Sequence, residues 1–121
     1  MSASGPLTGS CHCGRVTVTI PERPGQVAHC NCSLCSKTGF QGIYYPGDAV
    51  RIEGEVDDYV RANCNPAYIA QHRCRNCGII THWTPLTDPP HERIGINARL
   101  FDPGIFAEIE VNEVDGRSWP T

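Results

Sequence analysis

The segment RCRNCG, Arg73–Gly78, sets two cysteines three residues apart and follows them with a glycine. That is a metal-knuckle spacing. The turn brings both sulfurs to one point, and Gly78 permits the left-handed backbone such turns use. The flanking runs YIAQHRC (68–74) and IITHW (79–83) have strand character, so the knuckle is expected at the tip of a hairpin. Two sulfurs are half of a tetrahedral site. The other half is offered by CHCG (11–14), where Cys11 and Cys13 would share one face of an extended segment. Cys11, Cys13, Cys74 and Cys77 then make a closed four-thiolate site with no position left for a substrate, a structural zinc. It would staple the N-terminal edge to the central hairpin. Such a site supplies about 10–16 kcal/mol of apparent binding free energy, on the scale of a small domain's whole stability.

A second cluster sits in HCNCSLCSKTG (29–39). Cys30, Cys32 and Cys35 come from one short segment, with Ser33 placed to cap a helical turn and Gly39 to end it. Three ligands with an open fourth position is how a reactive zinc site is built. Three completions stay possible: that position open to an external ligand, the isolated Cys64, or a histidine such as His29 or His82. The remaining histidines suit other roles. His12 lies between two ligands and should point away, His91 lies in a proline-rich loop, and His72 flanks the knuckle. Three thiolates on Zn²⁺ leave about one net negative charge, which quenches Lewis acidity and argues against water activation. Holding a fourth thiol as thiolate suits the site better. Lys37, Arg73, Arg75 and Arg99 could meet the carboxylates of such a thiol, against the blander and favoured reading of each as an ordinary solvated charge.

The chain has 121 residues, a length for one domain, and 40% hydrophobic residues. The start, MSASGPLTGS, lacks a basic and an apolar region, so residues 1–8 are expected as a flexible tail before a single domain over 9–121. No stretch is apolar for long enough to span a bilayer. Eight cysteines without an export signal favour metal over disulfides and a cytoplasmic setting. The formal charge of −3 becomes more negative once seven thiolates face two zinc ions. That opposes a phosphate backbone, and no basic or amphipathic run restores a nucleic-acid or membrane reading.

Further short strands are expected at RVTVTI (15–20), VAHCNC (27–32), FQGIYYP (40–46), AVRIEG (49–54), RIGINARLF (93–101) and FAEIEV (106–111), with a loop at PLTDPPHE (85–92). Sustained helical periodicity is missing. The class is mainly β, short antiparallel strands tied by cysteine knuckles.

GSCHCGRVTVTI, HCNCSLCSKTG and RCRNCG, in that order, resemble the glutathione-dependent formaldehyde-activating enzyme and centromere protein V family, over roughly Gly9 to Leu100, including GINARLF. The second motif departs from the family's usual Cys-His-Cys-x-x-Cys in carrying Asn31. The resemblance implies a β-tent zinc fold with two zinc ions. Cys11, Cys13, Cys74 and Cys77 would hold the structural one, and Cys30, Cys32 and Cys35 the catalytic-type one. It also implies a carbon–sulfur lyase activity joining formaldehyde and glutathione into S-hydroxymethylglutathione, with a small thiol as partner. The competing reading is a non-catalytic module with two structural zinc sites, in which Cys64 closes the second.

Overall fold

A computed structural model describes residues 5–62, 67–86, 93–106 and 108–118. The protein is mainly β. Ten strands form two sheets among the described residues: β1 (Leu7–Ser10), β2 (Thr17–Ile20), β3 (Gln26–Cys30), β4 (Gly42–Pro46), β5 (Arg51–Glu53), β6 (Val56–Val60), β7 (Ile69–Cys74), β8 (Ile80–Pro85), β9 (Arg93–Asn97) and β10 (Glu110–Val114). A small sheet has the order β1-β2-β5, and a seven-stranded sheet the order β10-β3-β4-β9-β8-β7-β6. One short helix, α1 (Ser33–Thr38), follows β3. Among the described residues, no helix is long and apolar enough to cross a membrane.

The period of two in the strands decides where the core lies. Val18 and Ile20 of β2 turn inward from the small sheet. Ile43 and Tyr45 of β4 and Ile94 and Ile96 of β9 turn inward from the large one. The register pairs Ile43 with Ile96 and Tyr45 with Ile94, so these four side chains share a face. Val18, Ile20, Ile43 and Ile96 are fully buried, each worth about 1.5–3 kcal/mol in transfer from water. The intervening residues, Gly42, Tyr44 and Gly95, face the other way.

Four local expectations are corrected. Leu7 and Thr8, read as the end of a tail, pair with Ile20 and Thr19 in β1. β6, with its run of acidic residues, carries no strand pattern in the sequence, yet it pairs with β7 over all five of its residues. The last strand lies later than FAEIEV, at Glu110–Val114, and runs parallel to β3, not antiparallel. Pro85, assigned to a loop, ends β8 opposite Ile69. Residues 87–92 lie outside the described residues, so the loop that contains His91 is not placed; nor is the turn around Cys64.

Candidate metal centres and the adjoining cavity

The sulfurs of Cys11, Cys13, Cys74 and Cys77 all lie within 4.8 Å of one another. Cys11 and Cys13 are not extended, as the spacing alone suggested. They sit in a turn closed by the Gly14 amide donating to the Cys11 carbonyl at 3.1 Å. The second arm repeats the design, with the Gly78 amide donating to the Cys74 carbonyl at 3.0 Å. Gly14 and Gly78 are both left-handed, at φ 81° and 79°, where a side chain would be strained. Backbone amides of Val16, Asn76 and Cys77 point at the Cys11 and Cys74 sulfurs from 3.3–3.4 Å. A register shift between His72 and Arg73 turns β7 into the knuckle.

The sulfur spacing tests the fit to a metal. Cys13 Sγ lies 3.6 Å from both Cys11 Sγ and Cys74 Sγ. A tetrahedron with zinc–sulfur bonds of 2.3 Å has edges of about 3.8 Å, whereas a disulfide needs sulfurs about 2.05 Å apart. The seven cysteines among the described residues are free thiols. Cys13 is exposed, and its pKa falls to about 6 because Asn76 and the Arg15 backbone hydrogen-bond to the sulfur. Burial pushes the Cys11 thiol up, and a cation would offset that cost. Cys11 and Cys74 pack with Val16, Ile52 and Val56 at the end of the two sheets, so this cluster ties the small sheet to the large one.

Cys30, Cys32 and Cys35 form the second group, again within 4.8 Å. Cys30 ends β3. Cys32, not Ser33, caps α1: its sulfur accepts the Cys35 amide at 3.4 Å, the same bond that Cys74 accepts from Cys77. Gly39 closes the helix at φ 76°. Burial raises the Cys32 pKa, but hydrogen bonds from Cys35 and Cys30 and the charge of Arg61 outweigh it, and the net shift is down. Cys35 moves up, through burial and the neighbouring Cys32 and Cys30 sulfurs. Neither His29 nor His82 joins these three sulfurs. His29 is 3.8 Å from Glu113. His82 is buried in the core against His72, ring centroids 4.4 Å apart, and shares a hydrogen bond of 2.8 Å with Thr81.

The C-terminal segment walls one side of this group. The Asn31 amide donates to the Val114 carbonyl. Its side chain donates to Asp115 at 2.9 Å and accepts the Arg117 amide at 2.9 Å. The turn so held places buried Gly116 against the cysteines. A methyl group there would sit 2.6 Å from Cys30 Sγ.

A cavity of about 180 Å³ opens beside the three sulfurs, and all three line it. Its walls are largely apolar and aromatic, including Phe40, Ile69, Tyr44 and Trp83. Register explains the hollow. Gly95 lies between Tyr44 on β4 and Trp83 on β8, and the two rings close over it with centroids 6.0 Å apart. A side chain at Gly95 would meet Trp83 Nε1 at 2.1 Å.

None of the four cations picked from sequence lines this cavity. Arg75 pairs with Asp57 and Glu55 at 3.0 and 3.1 Å, and Arg99 donates to the Gly39 carbonyl at 3.0 Å. The cations that line it are Arg61 and Arg93. Arg93 lies over the Tyr44 ring, 4.3 Å from its centroid. Arg61 is buried, 7% exposed, with Nη1 3.7 Å from Cys32 Sγ. Its sequence neighbours carry no motif that could have marked it.

A crystal structure of a Rhodobacter sphaeroides protein, a structural genomics target, superposes with a TM-score of 0.67 at 24% identity. The match covers 88% of this chain and 100% of that one. It shows the fold is shared. The family model for the glutathione-dependent formaldehyde-activating enzyme matches residues 6–113, a span that takes in both cysteine groups. The chain therefore belongs to the glutathione-dependent formaldehyde-activating (GFA) family.

Proposed function

We propose that this chain is a zinc-dependent carbon–sulfur lyase-type enzyme that handles a small thiol adduct, with glutathione plus formaldehyde to S-hydroxymethylglutathione as the representative reaction. The observation that carries this reading is a contrast between the two clusters. Cys11, Cys13, Cys74 and Cys77 already supply four sulfurs, a structural zinc site. Cys30, Cys32 and Cys35 supply three and face a cavity. All-sulfur donor sets suit zinc. Zinc bound by the three sulfurs would supply a place where a thiol is held deprotonated at neutral pH.

The chemistry needs no redox partner. The thiol's sulfur forms a bond to the aldehyde carbon, the carbonyl π pair moves to oxygen, and that oxygen takes up a proton equivalent to the one the thiol gave up. The reverse reaction breaks the same carbon–sulfur bond. Phe40, Ile69, Tyr44 and Trp83 exclude water from the reacting atoms, and Asn31, through Asp115 and Arg117, keeps the C-terminal turn against the sulfurs. The partner is a small thiol, not nucleic acid or membrane, in keeping with the formal charge of −3. The free thiols suit a reducing, cytoplasmic compartment.

The test is exchange spectroscopy by NMR on formaldehyde and glutathione with the zinc-loaded protein. Interconversion faster than the uncatalysed reaction is expected, and Cys35→Ser should abolish the acceleration while the four-cysteine site keeps its metal. No acceleration by the two-zinc protein would refute the enzyme reading and leave a non-catalytic zinc module.

A further inference from the structure

Arg61 follows β6 directly and is carried to the cavity by the pairing of that strand with β7. Its guanidinium is buried, donates toward Cys32 Sγ at 3.7 Å and lines the cavity that the three sulfurs face. A guanidinium keeps its charge at any pH the fold survives. Three thiolates on a dication carry one net negative charge, and a thiolate in the fourth position adds another. Beside apolar and aromatic walls, charge accumulated in this way is poorly screened. One fixed positive charge next to Cys32 offsets it. A neutral fourth ligand, such as imidazole or water, adds no charge and gains little from the arginine.

We infer that Arg61 is a specificity-determining residue of the three-cysteine site, its charge making the fourth position selective for an anionic sulfur ligand over a neutral nitrogen or oxygen ligand. This rests on the proposed reading that one metal sits on Cys30, Cys32 and Cys35 with its fourth position open to a thiol. The effect is on a ratio of affinities and is therefore separable from damage to the site as a whole.

The experiment uses the full chain loaded with cobalt(II), whose sulfur charge-transfer and ligand-field bands report the fourth ligand. Wild type, Arg61→Lys and Arg61→Gln are each titrated with 2-mercaptoethanol and, separately, with imidazole. Arg61→Gln keeps a hydrogen-bond donor and loses the charge; Arg61→Lys keeps the charge. The four-cysteine site, counted as bound metal, is the control for folding. In Arg61→Gln we expect mercaptoethanol affinity to fall at least tenfold and imidazole affinity to stay within about threefold of wild type. In Arg61→Lys the thiol preference is largely retained. Unchanged thiol affinity in Arg61→Gln overturns the inference, as does an equal loss for both ligands. If wild type itself gives no thiol-dependent band, the open fourth position fails and the role of Arg61 fails with it. If the wild-type band is present but the ratio is the same in all three proteins, only the role of Arg61 fails.

Discussion

Gly116→Ala is a selective perturbation of the three-cysteine site, because it adds one methyl group at a place where the cluster has no room. That carbon would stand 2.6 Å from Cys30 Sγ and 3.1 Å from Cys32 Cβ, where ordinary contact begins at 3.4–4 Å. Something must move by roughly 1 Å. The turn cannot swing away freely, since Asn31 holds Asp115 and the Arg117 amide at 2.9 Å each. The sulfur is the easier group to displace, yet metal–sulfur distances tolerate only about ±0.2 Å. Overpacking of this kind costs about 1–3 kcal/mol, or roughly 5- to 150-fold in metal affinity. The assay is competition with a chromophoric chelator, which resolves the two metals by affinity. The four-cysteine site should hold its metal as in wild type, and the second should release it at lower chelator concentration. Second-site affinity within twofold of wild type, with Tm unchanged, would refute the argument that the C-terminal turn packs on Cys30.

Removing one sulfur from the other cluster has a global effect: Cys74→Ser should leave the chain unfolded at 25 °C, because about 10–16 kcal/mol of apparent metal binding energy is at stake, read as loss of near-UV circular dichroism. Gly95→Ala pushes on Trp83 Nε1 from 2.1 Å; it should turn the ring out of the cavity, seen as a red shift in tryptophan emission, and weaken thiol binding without changing metal content. His82 adds a pH dependence. Burial and the charge of the stacked His72 push its pKa down to about 4, so between about 6.5 and 4 the unfolded chain binds a proton that the folded chain does not. The stability this contributes, about 3 kcal/mol, is present above pH 6.5 and lost as pH falls through 4. Denaturant midpoints of metal-saturated protein at pH 7 and pH 4.5 should therefore differ less in His82→Gln than in wild type, and an equal difference would show that His82 is not the titrating group.

Both cysteine groups were legible because their information is local. Cys74–Gly78 and Cys11–Gly14 each contain the turn that gathers their sulfurs, and Cys30–Gly39 contains its own helix. The inward positions of β2, β4 and β9 were legible from alternation. What the sequence hid depends on register. Arg61 reaches Cys32 only because β6 joins the sheet, and β6 reads as a polar run since an edge strand keeps Asp57 and Asp58 in water. The aromatic wall needs Tyr44, Gly95 and Trp83 aligned across three strands, and no pattern in one segment states that. Arg73 and Arg75 lie near a motif along the chain, but pairing of β7 with β6 brings Arg75 to Asp57 and Glu55. β10 was displaced because a parallel return beside β3 leaves an edge strand exposed and weakly patterned.

A metal held by Cys30, Cys32 and Cys35, as proposed, lacks one protein sulfur. X-ray absorption of the two-zinc protein counts sulfur ligands directly, before and after addition of a thiol. Seven protein sulfurs shared by the two metal ions are expected, as the two clusters provide, with an oxygen or nitrogen as the fourth ligand at the three-cysteine site, and an eighth sulfur once thiol is added. Eight sulfurs without added thiol that drop to seven in Cys64→Ser, or seven that do not change with thiol, would contradict that proposal.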